Sequence, residues 1–229
     1  MIGKQHQLSK SLFIRGLQCH KSLYLQKFRP ELKEEVTPEQ QSLFDSGSNV
    51  GILAQQLFPG GVNVPYEGLS YAEQIERTQS LIEQKVDTIY EAAFSYQGVF
   101  VKCDILHLGP EGWEIYEVKS STKAEEYQLN DVSVQHYVIS RTGLPVKKAF
   151  LVHINNNYVR HGDIEVDKLF AIVDATDIAK GKRDFIEEEL EKQQNMLKGD
   201  EPIMDIGSHC DKPFSCDFKS HCWSHIPSP

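Results

Sequence analysis

The stretch that decides the fold is VFVKCDILHL at 99–108, GPEG at 109–112 and WEIYEVK at 113–119. Apolar and polar residues alternate on both sides of the loop, the period of strands with one face turned to a core. Gly109, Pro110 and Gly112 supply the turn. The segment therefore reads as a β-hairpin. If it folds symmetrically about the four-residue loop, Asp104 stands opposite Glu117. The period of two places Glu117 and Lys119 on one face, with Tyr116 and Val118 on the other.

Outward from the hairpin, EAAFSY at 91–96 reads as a preceding strand, joined through Gln97-Gly98. A helix over 127–140, closed by Gly143 and Pro145, leads to a strand at 147–154, KKAFLVHI. Upstream, the spacing predicts one amphipathic helix over 9–28, a linker marked by Pro30 and Pro38, a short helix over 47–58 and a longer one over 71–89. Downstream lie a charged helix over 184–198 and a loop-like tail from Glu201. No internal repeat is present. A helix, a three-strand meander, a helix and a strand make an α/β layout with a mixed sheet.

The chain has 229 residues, 40% hydrophobic and 25% charged, a globular composition that excludes wholesale disorder and collagen-like repeats. It has no apolar run of membrane-spanning length and no apolar leader core in MIGKQHQLSK, so a cytoplasmic protein without a membrane partner is expected. Net charge is −9 but unevenly spread. Residues 1–30 hold Lys4, Lys10, Arg15, Lys21, Lys27 and Arg29 and no acid. A basic segment on an acidic body fits a polyanion contact through Arg15, Lys21 and Lys27, or simply a solvated helix face.

Glu117-Val118-Lys119 carries an acid-x-lysine pattern, but so do the triplets ending at Lys33, Lys85 and Lys219, so spacing alone decides little. Context selects Lys119, which alone lies in an apolar strand pattern. Two carboxylates facing each other across a strand pair repel, unless they grip one hard cation such as Mg²⁺ or Mn²⁺. Such an ion polarises a phosphodiester and makes hydroxide available near neutral pH, while Lys119 stabilises charge developing on phosphorus. Glu91, at the start of the first strand, is a further candidate ligand. Asp131 and Gln135 share a face of the following helix. The same residues read without chemistry are a solvated pair, a surface acid and a polar helix face.

Of five cysteines, Cys210, Cys216 and Cys222 fall within the last 20 residues. An odd count without a secretion signal argues against a disulfide framework. Cys103 reads as core, leaving Cys19 as the better fourth ligand. Four thiolates suit an iron–sulfur cluster or structural zinc, and the absence of paired Cys-x2-4-Cys knuckles favours iron–sulfur. A zinc site would take three cysteines and a histidine such as His225.

Taken together, LFIRGLQCHKSLYL, EAAF, VKCDIL, EVKSST, DVSVQHY and HCDKPFSCDFKSHC make the chain resemble RecB-like PD-(D/E)XK nucleases with an iron–sulfur cluster, the group of the CRISPR-associated exonucleases. One cysteine, then Asp…Glu-x-Lys, then three cysteines is a more specific layout than any single piece. The resemblance implies a restriction-endonuclease-like core over about residues 71–155, with a cluster region formed by about 9–30 and 201–225. It implies Asp104, Glu117 and Lys119 as catalytic acids and lysine, Gln135 as the glutamine of a third motif, and Cys19, Cys210, Cys216 and Cys222 as 4Fe–4S ligands. The implied activity is metal-dependent DNA cleavage, often exonucleolytic on single strands or ends, in repair, recombination or defence. Relatives continue into a further domain or act with a nuclease or helicase partner, so the chain reads as one domain that can be part of a longer protein. Departures from the pattern are His20 in place of a proline, cysteine spacings of five and five, Ile139 in place of a tyrosine, and no histidine in 47–58. The alternative is a nucleic-acid-binding module on an inactive nuclease scaffold, with zinc or a cluster.

Overall fold

The computed structural model describes residues 7–226. Lys4 and the last three residues lie outside that range. Seven strands build one mixed sheet: β1 (Leu8–Ser9), β2 (Val62–Asn63), β3 (Thr88–Tyr96), β4 (Val99–Gly109), β5 (Gly112–Lys119), β6 (Val146–Ile154) and β7 (Phe170–Asp174). Their order is β2-β3-β4-β5-β6-β7, with β1 beside β4. The meander β3–β4–β5 is antiparallel, β5–β6 is parallel and β6–β7 antiparallel. This is the mixed α/β architecture with flanking helices that the pattern of elements implies.

The β3–β4 turn is tight because Gln97 and Gly98 both take positive φ, +46° and +78°, matching the twist of a two-residue hairpin. The strand period then sorts side chains to two faces. Leu106, Ile115 and Leu151 join a core covered by α1 (Lys10–Gln18), α5 (Gln128–Arg141) and α8 (Arg183–Met196). Ile105, Tyr116 and Val152 join a smaller core on the opposite face, with Ala54 from α3 (Pro38–Ala54) and Phe170. Both faces are covered, which explains the nearly continuous apolar runs in β4 and β5. Among the described residues no helix is long and apolar enough to cross a membrane.

Several expected boundaries change. The single helix over 9–28 is two, α1 and α2 (His20–Phe28), broken where Cys19 adopts extended backbone (φ −162°, ψ 116°) and its thiol accepts the Ser22 N–H. The apolar spacing runs through the break because Phe13 and Gly16 of α1 and Leu23 of α2 are buried at helical intervals along the sequence. α3 begins at Pro38 rather than 47: Thr37 and Gln40 form a capping box and Pro38 sits at the first turn, so that proline starts a helix instead of extending a linker. The helix expected over 71–89 is α4 (Tyr71–Glu83), and Ile89 belongs to β3, opposite Leu106. Lys85, at φ +61°, turns the chain between them. Beyond 155, α6 (Val166–Leu169), β7 and α7 (Thr176–Gly181) form elements that the sequence pattern does not announce. In the tail, Ser208–Cys210 form a 3-10 turn and Lys219–Trp223 a short helix, α9.

Candidate active site

The β4–β5 register is the symmetric one, running from Gly109↔Gly112 to Ile105↔Tyr116. It stops there. The next residue, Asp104, has no backbone partner in β5; its Oδ2 accepts the Val118 N–H at 2.6 Å instead. A carboxylate thus takes the place of a ladder carbonyl. Beyond this point β5 stays paired with β6, through Glu117↔Leu151 and Lys119↔His153, while β1 occupies the same edge of β4 lower down, at Val99 and Phe100. Between β1 and β5 the edge of β4 is unpaired over 101–104, and the site sits at this opening.

Glu117 is its centre and only 2% exposed. Its Oε1 accepts the Lys119 ammonium at 2.7 Å and the Lys10 ammonium, also at 2.7 Å. Its Oε2 accepts the Gln135 side-chain amide. Lys119 also bonds Asp131. The structure therefore brings Asp104, Glu117, Lys119 and Gln135 together, and adds Lys10 and Asp131. Asp131 is placed by the helix spacing that pairs it with Gln135. Lys10 is not legible in advance, because it arrives from 107 residues away.

The charges are unevenly satisfied. Burial opposes ionisation of Glu117, but Lys10 and Lys119 outweigh it and hold the carboxyl below its ordinary range. Burial likewise opposes the Lys119 charge, and Glu117 and Asp131 reverse that, raising it above the usual lysine value. Asp104 has the Val118 amide but, among the described residues, no ammonium bonded to it; burial, then the Glu117 charge, push it up to about 8. A cation shared by Asp104 and Glu117 relieves both causes. Gln135 is fully buried, and its Oε1 has no hydrogen-bond partner among the described residues. An all-oxygen donor set of this kind fits Mg²⁺ or Mn²⁺.

Glu91 stands across the ladder from Asp104, flanked by the pairs Tyr90↔Ile105 and Ala92↔Cys103, and interrupts it with φ +56°. Its carboxylate turns to Lys102 at 3.4 Å, and its charge contributes to the Asp104 environment, so Glu91 lies at the rim. Arg15, Lys21 and Lys27 lie apart from the carboxylates. Arg15 bonds both oxygens of Asp217 at 2.7 and 3.0 Å, Lys21 pairs with Glu201 at 3.0 Å, and Lys27 donates to the Gln7 carbonyl.

The four cysteines of the cluster set line one cavity, together with Met204 and His209. Gln18 at the end of α1 ties this region down, donating to the carbonyls of His209 and Phe214 at 2.7 and 2.8 Å. Burial pushes the Cys19 and Cys222 thiols up. All five cysteines are free, and Cys103 is fully buried in the core. His225 is exposed and does not line the cavity. Among the described residues no three His, Cys, Asp or Glu side chains are arranged to hold a single metal ion.

No family model matches the chain, and no curated protein matches it either. Solved structures similar to the chain include the two that follow. One is the exonuclease LHK-Exo in complex with dAMP, at 12% identity and TM-score 0.46, covering 84% of this chain and 88% of that one. The other is SSO0001, at 12% identity and TM-score 0.45, covering 99% and 90%. Likenesses at this level say nothing of activity, and the functional reading comes from the carboxylate–lysine centre itself.

Proposed function

We propose that the protein is a divalent-cation-dependent deoxyribonuclease of the RecB-like PD-(D/E)XK type, with a restriction-endonuclease-like core, acting on single strands or DNA ends in repair, recombination or defence. The observation that carries this reading is the convergence of Asp104, Glu117, Lys119 and Gln135 on one buried opening in the sheet edge. Asp104 and Glu117 are the residues to hold Mg²⁺ or Mn²⁺, with Glu91 at the rim. When bound, the ion supplies Lewis acidity toward a phosphodiester. Lys119, fixed between Glu117 and Asp131, presents a permanent positive charge to the developing negative charge on phosphorus. Gln135 holds Glu117 in place through its side-chain amide, which donates to Oε2. Arg15, Lys21 and Lys27 are proposed to contact the DNA backbone by exchanging their intramolecular partners, Asp217, Glu201 and the Gln7 carbonyl, for phosphate.

Cys19, Cys210, Cys216 and Cys222 are proposed to carry a structural 4Fe–4S cluster. Four thiols around one cavity suit a centre in which each thiolate takes its own iron. Structural zinc is the less well supported alternative.

The test is cleavage of end-labelled single-stranded and duplex DNA with Mn²⁺. Wild type is expected to cut, and Lys119→Ala to lose on the order of 10²–10³-fold in rate. Salt-sensitive binding without cleavage, or equal cutting by the variant, would leave a binding module instead. Protein purified without oxygen is expected to be brown and to contain iron and sulfide; colourless protein with zinc overturns the cluster.

A further inference from the structure

Glu117 Oε1 carries two ammonium groups, and they are held differently. Lys119 is built into β5 and is fixed a second time by Asp131. Lys10 comes from outside the sheet, and among the described residues its only ion pair is with Glu117. Its main chain is firmly placed. Leu8 is fully buried and bonded to the Gly98 carbonyl, and the Ser9 hydroxyl caps α1 through the Leu12 N–H at 3.2 Å. Its side chain, about as exposed as that of Lys119 (20% against 23%), hangs on a flexible four-carbon stem with Glu117 as its single ionic anchor among the described residues, where Lys119 has two.

Charge balance separates the two lysines further. When all are ionised, Asp104, Glu117 and Asp131 bring three negative charges, and Lys10 and Lys119 two positive ones. A dication added with both ammoniums in place leaves a surplus positive charge in a buried cleft, which is costly. With Lys10 withdrawn to solvent the set balances. Lys119 cannot withdraw without also abandoning Asp131.

We propose that Lys10 is a tethered counter-ion that competes with the divalent cation for Glu117 Oε1 and yields that oxygen when the ion binds. This rests on the nuclease reading for the existence of the cation site. It makes Lys10 a positioning residue: it sets the rotamer and charge of Glu117 and the metal concentration at which the site loads.

The experiment measures Mn²⁺ binding to the full chain without DNA, from the electron paramagnetic resonance signal of free Mn²⁺ and by calorimetry. It compares wild type, Lys10→Met, Lys10→Gln and Asp104→Asn. Lys10→Met keeps the apolar stem, and Lys10→Gln keeps a donor to Glu117, so a folding failure in one leaves the other. Both are expected to bind Mn²⁺ about tenfold more tightly than wild type, the scale of one charge-assisted hydrogen bond, and Asp104→Asn to lose binding. Equal or weaker binding by the Lys10 variants, with Asp104→Asn still defective, overturns the proposal and leaves the cation site standing. No binding by any of the proteins overturns the site and this proposal together.

Discussion

Asp104 is the residue on which the site's behaviour turns. In the folded chain, burial and the Glu117 charge push its carboxyl up to about 8. In the unfolded chain it reverts to about 3.9. Between those values the folded state holds a proton that the unfolded state has released, so this group's contribution to stability is present at low pH and is lost as pH rises through about 8. Glu117 has the opposite sign: held below its ordinary range, it contributes above about pH 4.3 and loses that contribution only in acid. In chelator, the melting temperature is therefore expected to fall between about pH 5.5 and 8.5, and Asp104→Asn to flatten that slope. Melting curves across that range check it; an unchanged slope in the variant refutes the assignment. At this scale the shared face of Glu117 and Lys119 and the nearness of Asp104 to β5 were legible, because strand period and a symmetric hairpin are local properties. The direct opposition of Asp104 and Glu117 is not formed: the ladder ends at Ile105↔Tyr116 and Asp104 bonds the Val118 N–H instead. The Lys10 contact was not legible, since no local pattern distinguishes it from the other basic residues of the N-terminal segment.

At the scale of elements, the site depends on how α1 is seated. Gly16 faces Gln193 of α8, whose side chain is fully buried and donates to the Phe13 carbonyl at 3.1 Å. A Cβ at position 16 would lie 2.3 Å from Gln193 Cδ, and that amide cannot move away without breaking its bond to α1. Gly16→Ala is expected to cost about 1–3 kcal/mol by overpacking, read from urea denaturation. Because α1 carries Lys10 at one end and leads into Cys19 at the other, the same change is expected to disturb both sites. A stability within about 0.5 kcal/mol of wild type would mean that the helix pair yields easily. The helical content of this region was legible but the break at Cys19 was not, because the buried Phe13, Gly16 and Leu23 keep a helical interval across it.

Across the whole molecule, the basic N-terminal segment is largely committed to intramolecular pairs. Lys10 meets Glu117, Arg15 meets Asp217 and Lys21 meets Glu201. Two of these three stitches reach the tail after residue 200, as do the Gln18 bonds and the bond from the Glu34 N–H to the Asp217 carbonyl. Arg15 and Lys33 hold Asp217 at about 2 against its burial, so the tie lasts well into acid. The tail itself buries little apolar surface beyond Cys210 and Phe218, so its order depends on these polar ties and on the proposed cluster. Cys216→Ser is expected to expose residues 201–226 to limited proteolysis while far-ultraviolet circular dichroism of the sheet and large helices persists. Uncut tail in that variant would remove the structural role of the sulfur ligands.

By itself the sequence determined the alternation of strands, the hairpin register from Gly109↔Gly112 to Ile105↔Tyr116, the helix face that unites Asp131 with Gln135, and the gathering of thiols near the end of the chain. Each of these follows from period, turn chemistry or spacing over a few residues. Only the tertiary structure decided that β5 leaves β4 after Tyr116 and lets a carboxylate replace a ladder bond, that β1 pairs with the same edge only at Val99 and Phe100 and leaves an opening between, and that Lys10 thereby reaches Glu117. Those outcomes depend on which helix covers which part of the sheet, a competition among distant packing surfaces that no stretch of local pattern encodes.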